Sequence, residues 1–379
     1  MSEINQESLI KLIDRLNQYP IGLPDAPEIR EFFSIYLDQE EMELASIFPF
    51  KETTSGELAK KVNWDEGKVL EVLERLAEKG TVVDFQMRGK EESDHRYWLL
   101  TPSVIGFVEF SLMKLRTGVP FKRIAEILES YESNHLWKEV FASKTQISRA
   151  VVGMDIPVTS RVLPIHEVES IIRASGGGAI QDCYCRQKKA IIGKDCKVAT
   201  HKETCFSLSG KGSSFLIRRG YARAVGVDEM VEKVRELGKL GLIHVTDNVR
   251  ERPAFLCNCC GCCCGLLRGS LEKEVKHSVS PSPFIITADK EKCNGCSLCT
   301  KKCQASALTL EQKRVAVAED KCLGCGQCIR FCKKGALTLV ARKHAPKIPK
   351  NENTKFIKIA WEKERFWGMM WQILKQKLG

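Results

Sequence analysis

At 379 residues the chain is too long for one ordinary core, and roughly two to four domains of about 100 to 200 residues each are expected. Its 43% hydrophobic and 28% charged residues fit a globular protein, and no apolar run approaches the roughly 18 residues of a spanning helix, which excludes an integral membrane protein of that kind. The formal charge of +11 admits nucleic acid, an acidic partner or a membrane surface, so its placement along the chain matters more than its size.

The start, MSEINQESLIKLIDRL, is amphipathic and acidic and lacks the basic, apolar and small-residue regions of a signal peptide, so a cytoplasmic location is expected. Residues 28–102 read as the first domain, with helices over EEMELASIF, SGELAKKV and WDEGKVLEVLERLAEKG and then a hairpin over 81–102. Ser55 is the expected cap of the second of these helices, and Val69, Val72, Leu73 and Leu76 repeat at helical spacing. The order resembles a winged helix-turn-helix. A DNA-reading helix should present a basic N-terminal end, yet Trp64–Lys79 carries Asp65, Glu66, Glu71, Glu74 and Glu78 against Lys68, Arg75 and Lys79. DNA is therefore not the expected partner, and docking or a structural role is favoured. Residues 103–178 read as a helical connector, with a helix at 166–174 and a flexible SGGG exit that lacks the GK[ST] ending of a phosphate loop.

All eighteen cysteines lie between Cys183 and Cys332. In a reducing compartment such clusters favour metal ligation over disulfides. Residues 179–270 form a cysteine-rich α/β domain, in which VDEMVEKVRELGKLG predicts a helix and LIHV a strand. Cys183, Cys185, Cys196 and Cys205 are enough thiols for one further cluster, with Arg186 placed to stabilise its negative charge. The run CNCCGCCC adds six more, too many for one ordinary cubane, so that some are expected to stand in reserve; Cys257, Cys259, Cys260 and Cys263 are the candidate ligands of further clusters. Three readings stay open for these thiols: another cluster shared between the groups, an unusual cluster with bridging thiolates, or redox-active thiols. His244 is a candidate ligand, though a hydrogen-bonded core histidine is the commoner role for such a residue.

Residues 283–342 contain an internal duplication. KCNGCSLCTKKCQASALTL at 292 and KCLGCGQCIRFCKKGALTL at 321 share the spacing C-x2-C-x2-C-x3-C. In that spacing three cysteines wrap one cluster and the fourth reaches across to the other. Cys293, Cys296, Cys299 and Cys332 are then expected on one [4Fe-4S] cluster, and Cys322, Cys325, Cys328 and Cys303 on the second. Gly295 and Gly324 sit where positive φ is needed, and each ALTL run predicts a strand. The repeat resembles the dicluster ferredoxins. It departs from them in having Gln304 and Lys333 where a proline is usual.

Residues 343–379 form a basic linker and amphipathic helix; from 341 onward there are ten Lys or Arg against three acidic residues. One helix from about Thr354 would align Trp367, Met370, Trp371, Leu374 and Leu378 on a face suited to a membrane surface, a partner groove or the protein's own core. A peripheral position at the inner face of the membrane would follow from the first.

The Cys259-Cys260-Gly261 step is reminiscent of heterodisulfide-reductase-like proteins, and the whole order resembles a group of iron–sulfur proteins from anaerobic microbes. The expected fold class is α+β and multidomain. The expected function is one-electron transfer to a redox protein partner by two [4Fe-4S] clusters and one or two additional clusters, as an oxidoreductase or a subunit of one. An iron–sulfur-sensing transcription regulator and a disulfide or small-molecule reductase using CNCCGCCC are the alternatives.

Overall fold

The computed structural model describes residues 6–86, 96–159, 162–209, 213–272, 275 and 278–378. The tip of the expected hairpin, 87–95, lies outside them.

The first half is a helical unit closed by a hairpin. Helices Gln6–Asn17, Pro27–Tyr36, Gln39–Ser46, Ser55–Val62 and Glu66–Glu78 precede β1 (Val82–Gln86) and β2 (Arg96–Leu100), which pair antiparallel with Val82 opposite Leu100. Val69, Val72, Leu73 and Leu76 are fully buried together with Phe32, Phe33 and Trp98, as their 3.6-residue spacing requires. Helix Ser55–Val62 is capped by Thr54 and not by Ser55. Glu57 fixes this register: Thr54 accepts from the Glu57 N–H, the Glu57 carboxylate accepts from the Thr54 N–H, and the Ser55 hydroxyl turns to Glu66 instead.

Helix Glu66–Glu78 spends its basic residues inside the chain. Lys68 and Arg75 pair with Glu40 at 3.0 and 2.9 Å, and Lys79 pairs with Glu41 at 2.5 Å. Its exposed residues include Glu66, Lys68, Leu70 and Glu71, and Lys68, the cation among them, is paired with Glu40, so the face offers little positive charge to a phosphate backbone.

The central unit is a six-stranded antiparallel sheet of order β3-β7-β8-β5-β4-β6, built from β3 (Ser148–Ala150), β4 (Gly178–Asp182), β5 (Glu203–Leu208), β6 (Ala222–Val225), β7 (Ile243–Asp247) and β8 (Phe255–Cys259). It draws on more chain than the cysteines mark. Strand β3 and helix Val168–Ser175 come from the expected connector: β3 pairs with β7, and the helix joins Val227–Lys239 in covering Ile180, Phe206 and Leu256. The SGGG segment ends that helix and opens β4, where a Cβ on Gly178 would lie 1.9 Å from the Ser207 carbonyl oxygen.

In the C-terminal unit β9 (Phe284–Ala288) pairs with β12 (Leu337–Ala341), and β10 (Leu308–Glu311) pairs with β11 (Arg314–Val317). The two ALTL runs are thus β10 and β12.

The tail is not one helix. It breaks between Glu352–Glu362 and Phe366–Leu378, where Glu364 takes φ +58°. The first helix folds back: Ile359 and Ala360 are buried, Lys355 meets Asp247 at 3.0 Å with both buried, and Glu362 accepts from the Thr145 amide and hydroxyl. Lys363 and Arg365 anchor the break on Glu139. The second helix leaves Trp367 and Trp371 72% and 60% exposed, beside Trp361 at 61%. No described helix is long and apolar enough to cross a membrane.

Candidate metal centres

The eight cysteines of the repeat stand around two cavities in crossed sets. Cys293, Cys296, Cys299 and Cys332 line one cavity of about 160 Å3, and Cys303, Cys322, Cys325 and Cys328 line the other. Each C-x2-C-x2-C loop supplies three thiols, and the cysteine before the following strand crosses to its twin. Backbone amides already point at the sulfurs: Ala307 N–H donates to Cys303 at 3.3 Å, Val315 N–H to Cys293 at 3.4 Å and Ala336 N–H to Cys332 at 3.2 Å. Burial and neighbouring thiols push Cys325 up to about 12 and Cys328 well above the ordinary thiol value. A cationic iron–sulfur core removes that penalty by ligating the thiolates, so the donor set fits the group. Gly295 and Gly324 have φ of +71° and +64°, as expected, but a Cβ there would strike the carbonyl oxygens of Lys313 and Phe284 at 2.4 and 2.0 Å. The nearest obstacle at both is the protein's own backbone.

The ten central cysteines divide into four and six. Cys196, from the loop after helix Tyr184–Ile191, joins Cys260, Cys262 and Cys263 from the turn after β8, with all four sulfurs within 4.8 Å of one another. This departs from the sequence expectation, which grouped Cys196 with Cys183, Cys185 and Cys205. The eight-residue helix carries Cys196 away from Cys183 and Cys185 at its start.

The remaining six form a closed ring of neighbouring thiols, Cys183–Cys185–Cys264–Cys259–Cys257–Cys205 and back to Cys183. Cys257 and Cys259 are two apart on β8 and so share a face, whereas Cys260 turns to the other. Cys205 lies directly across from Cys257 on β5, and Cys264 Sγ is 3.2 Å from Cys259 Sγ. Cys262 and Cys264, not among the candidate ligands named from the sequence, lie in the tetrad and the ring respectively. The ring is the wider site. Among the described residues, only the tetrad brings three or more ligand atoms all within 4.8 Å of one another.

Arg186 ties the two groups together. Its Nε lies 3.4 Å from Cys196 Sγ, and its other arms reach the Thr204 hydroxyl and, at 3.0 Å, the Asn258 carbonyl. Burial disfavours its charge, but negative sulfur at Cys183, Cys260, Cys196 and Cys205 more than restores it. Hydrogen bonds from Cys185 and Cys205 hold Cys183 well below the ordinary thiol range, and those from Cys260, Cys262 and Cys263 do the same for Cys196. Arg186 thus stands beside Cys196 of the first group and adds its charge to the lowering at Cys183 of the second. The sequence signal for this was the CxCR step.

The ring borders a cavity of about 1700 Å3 between the central sheet and the first domain. Phe85, Phe110 and Met113 form apolar wall, and Ile105 stands there at φ +47°, a strained setting for a β-branched side chain. Glu109, also in the wall, accepts from the Gly106 N–H at 2.9 Å, and burial pushes its carboxyl up to about 7. No periodicity in the sequence singled out Glu109, because only the packing of two domains makes it a cavity residue.

The ferredoxin-type unit abuts this arrangement. Cys325 joins Cys257, Cys259 and Cys264 in one apolar cluster built on Ile243 and Val245. The Gly261 N–H, inside CNCCGCCC, donates to Gln304 Oε1 at 3.0 Å. Gln304 replaces the usual proline after Cys303, and its side chain is what reaches the central turn. His244 is buried with Nδ1 2.6 Å from Asn258 Oδ1, and burial lowers it to about 4. It pairs with an amide and not with a thiol, the core role that its sequence setting favoured.

Residues 292–348 match the family described as the 4Fe-4S dicluster domain. No curated protein and no solved structure matches the chain.

Proposed function

We propose that this iron–sulfur protein is an electron-transfer protein in which the dicluster domain serves the thiol ring of the cysteine-rich domain. Cys293, Cys296, Cys299 and Cys332 would hold one [4Fe-4S] cluster, Cys322, Cys325, Cys328 and Cys303 the second, and the six-thiol ring a further polynuclear iron–sulfur centre. Such groups supply one-electron transfer, and the protein sets their potential through N–H···S bonds, burial and charge.

The observation that carries this reading is contact between the sites: Cys325 and the ring cysteines Cys257, Cys259 and Cys264 share one apolar cluster, and Gln304 bonds the turn that bears three of the ring thiols' neighbours. At the other end Cys296 is exposed, with Lys301, Lys302, Lys333 and Lys334 exposed nearby in sequence, a rim suited to an acidic redox partner. The ring in turn borders a cavity large enough for a small-molecule substrate, which favours a reductase over a simple carrier. The winged-helix-like unit then acts as scaffold: Arg219 meets Glu74 at 2.5 Å and Asp84 at 3.0 Å, which locks it to the central sheet. Helix Phe366–Leu378, with Trp367 and Trp371 outward and a basic sequence, docks on an anionic membrane surface.

The test is anaerobic stopped-flow reduction by a low-potential donor, with the ring centre followed by rapid-freeze EPR. In Cys325→Ser or Cys303→Ser protein, reduction of the ring centre should slow at least tenfold while its iron is retained. An unchanged rate would sink the relay.

A further inference from the structure

The tetrad of Cys196, Cys260, Cys262 and Cys263 is a different size of site from the others. Four thiolates around a single Zn2+ with Zn–S bonds of about 2.3 Å form a tetrahedron whose S···S edges are about 3.8 Å. The contacts here are 3.5 Å for Cys196–Cys260, 3.8 Å for Cys196–Cys262, 3.5 Å for Cys260–Cys262 and 3.7 Å for Cys262–Cys263. A four-iron core places each cysteine on a different iron, so its ligand sulfurs stand apart around the core. The dicluster domain shows that wider arrangement, with Cys293, Cys296, Cys299 and Cys332 spread around a cavity of about 160 Å3.

We infer that Cys196, Cys260, Cys262 and Cys263 bind one zinc ion as a closed tetrathiolate site, leaving the other six central thiols to the ring. Four sulfurs fill every position of a tetrahedral ion and leave no open one, which makes the site structural and not catalytic. A zinc tetrathiolate is a dianion, and the surroundings suit it. Arg186 Nε and the Ala199 N–H each lie 3.4 Å from Cys196 Sγ, and Arg186 is a buried cation.

The consequence for the neighbouring site is direct. Cys260, Cys262 and Cys263 lie between Cys259 and Cys264, so an ion that pins their turn to the Cys196 loop fixes the separation of two ring thiols. CNCCGCCC is then two interleaved ligand sets, Cys257, Cys259 and Cys264 for the ring and Cys260, Cys262 and Cys263 for zinc. The inference does not depend on what the ring holds.

The full chain, purified anaerobically without added metal, should contain about one zinc per chain, and its zinc-edge X-ray absorption should fit a single shell of four sulfurs at about 2.3 Å. Cys262→Ser should lower retained zinc at least tenfold under mild chelation, whereas Cys205→Ser should keep it. Zinc-free protein, or a first shell containing nitrogen or oxygen, would overturn the assignment. So would a Cys262→Ser protein that loses about four irons and four sulfides with its zinc unchanged, the signature of a cubane. Because the absorption experiment uses unaltered protein, it decides the matter even if the variants fail to fold. Loss of iron in Cys205→Ser with zinc intact bears on the ring alone.

Discussion

Gln304→Ala removes one side chain from the seam between the dicluster domain and the thiol-rich turn. In the native protein the half-buried Gly261 N–H donates to Gln304 Oε1 at 3.0 Å, and the Gln304 carbonyl approaches so closely that a Cβ on Gly261 would sit 2.6 Å from it. A fully buried amide deprived of its acceptor costs about 1–3 kcal/mol. Gly261 is half buried, so the low end applies: about 1 kcal/mol, or about fivefold in a local opening equilibrium. Hydrogen–deuterium exchange of the anaerobic protein, read on peptides covering 255–266, should show that acceleration, while helix Glu66–Glu78 exchanges as before. Gly261→Ala should have a larger effect, because backbone must move. Unchanged protection at 255–266 in Gln304→Ala, or equal acceleration in the distant helix, would refute the idea that this contact couples the two units.

Lys188 is buried against Glu132 and lies 3.1 Å from Glu129, while Glu132 also accepts from Tyr184 at 2.6 Å. Lys188→Ala strands a buried carboxylate and should cost about 3–5 kcal/mol, read as a lower thermal midpoint, whereas Lys188→Met with Glu132→Leu should lose much less. Glu109 keeps its proton up to about pH 7 in the fold against an ordinary 4.5, so the native state binds more protons across that window and stability falls as pH rises through it. The loss reaches up to about 3 kcal/mol, less where cavity water screens the carboxylate, and Glu109→Gln should abolish it in urea midpoints compared at pH 5 and pH 8. Deleting residues 366–379 should abolish sedimentation with anionic liposomes and leave iron content unchanged; equal sedimentation would assign Trp367 and Trp371 another partner.

The two strongest periodic signals translated directly into structure. The 29-residue duplication placed the eight cysteines in the two sets that now line two cavities, and the 3.6-residue repeat of Val69 to Leu76 gave the buried face of its helix. Boundaries fared worse where a choice rested on a neighbour. The cap moved from Ser55 to Thr54 because Glu57 sets the register, and the tail split at Glu364 because Glu139 and Thr145 hold its first half. The central thiols were seen as a group but not sorted. Their partition depends on the two faces of β8 and on how far one short helix carries Cys196, neither of which spacing reveals. The cavity and Glu109 lie further beyond reach, since they arise where residues 83–86 and 104–113 meet the sheet. Gln304 was visible as a departure from the ferredoxin pattern, but its role required knowing that Gly261 faces it.

The six-thiol ring, on this reading, binds iron and sulfide in addition to those of the dicluster domain. Quantifying both per chain in anaerobically purified protein, with EPR of the reduced form, tests it most directly. Clearly more than about eight irons with matching sulfide are expected, falling to about eight in the Cys205→Ser and Cys257→Ser proteins, whereas about eight in the unaltered chain would leave the ring without a cluster.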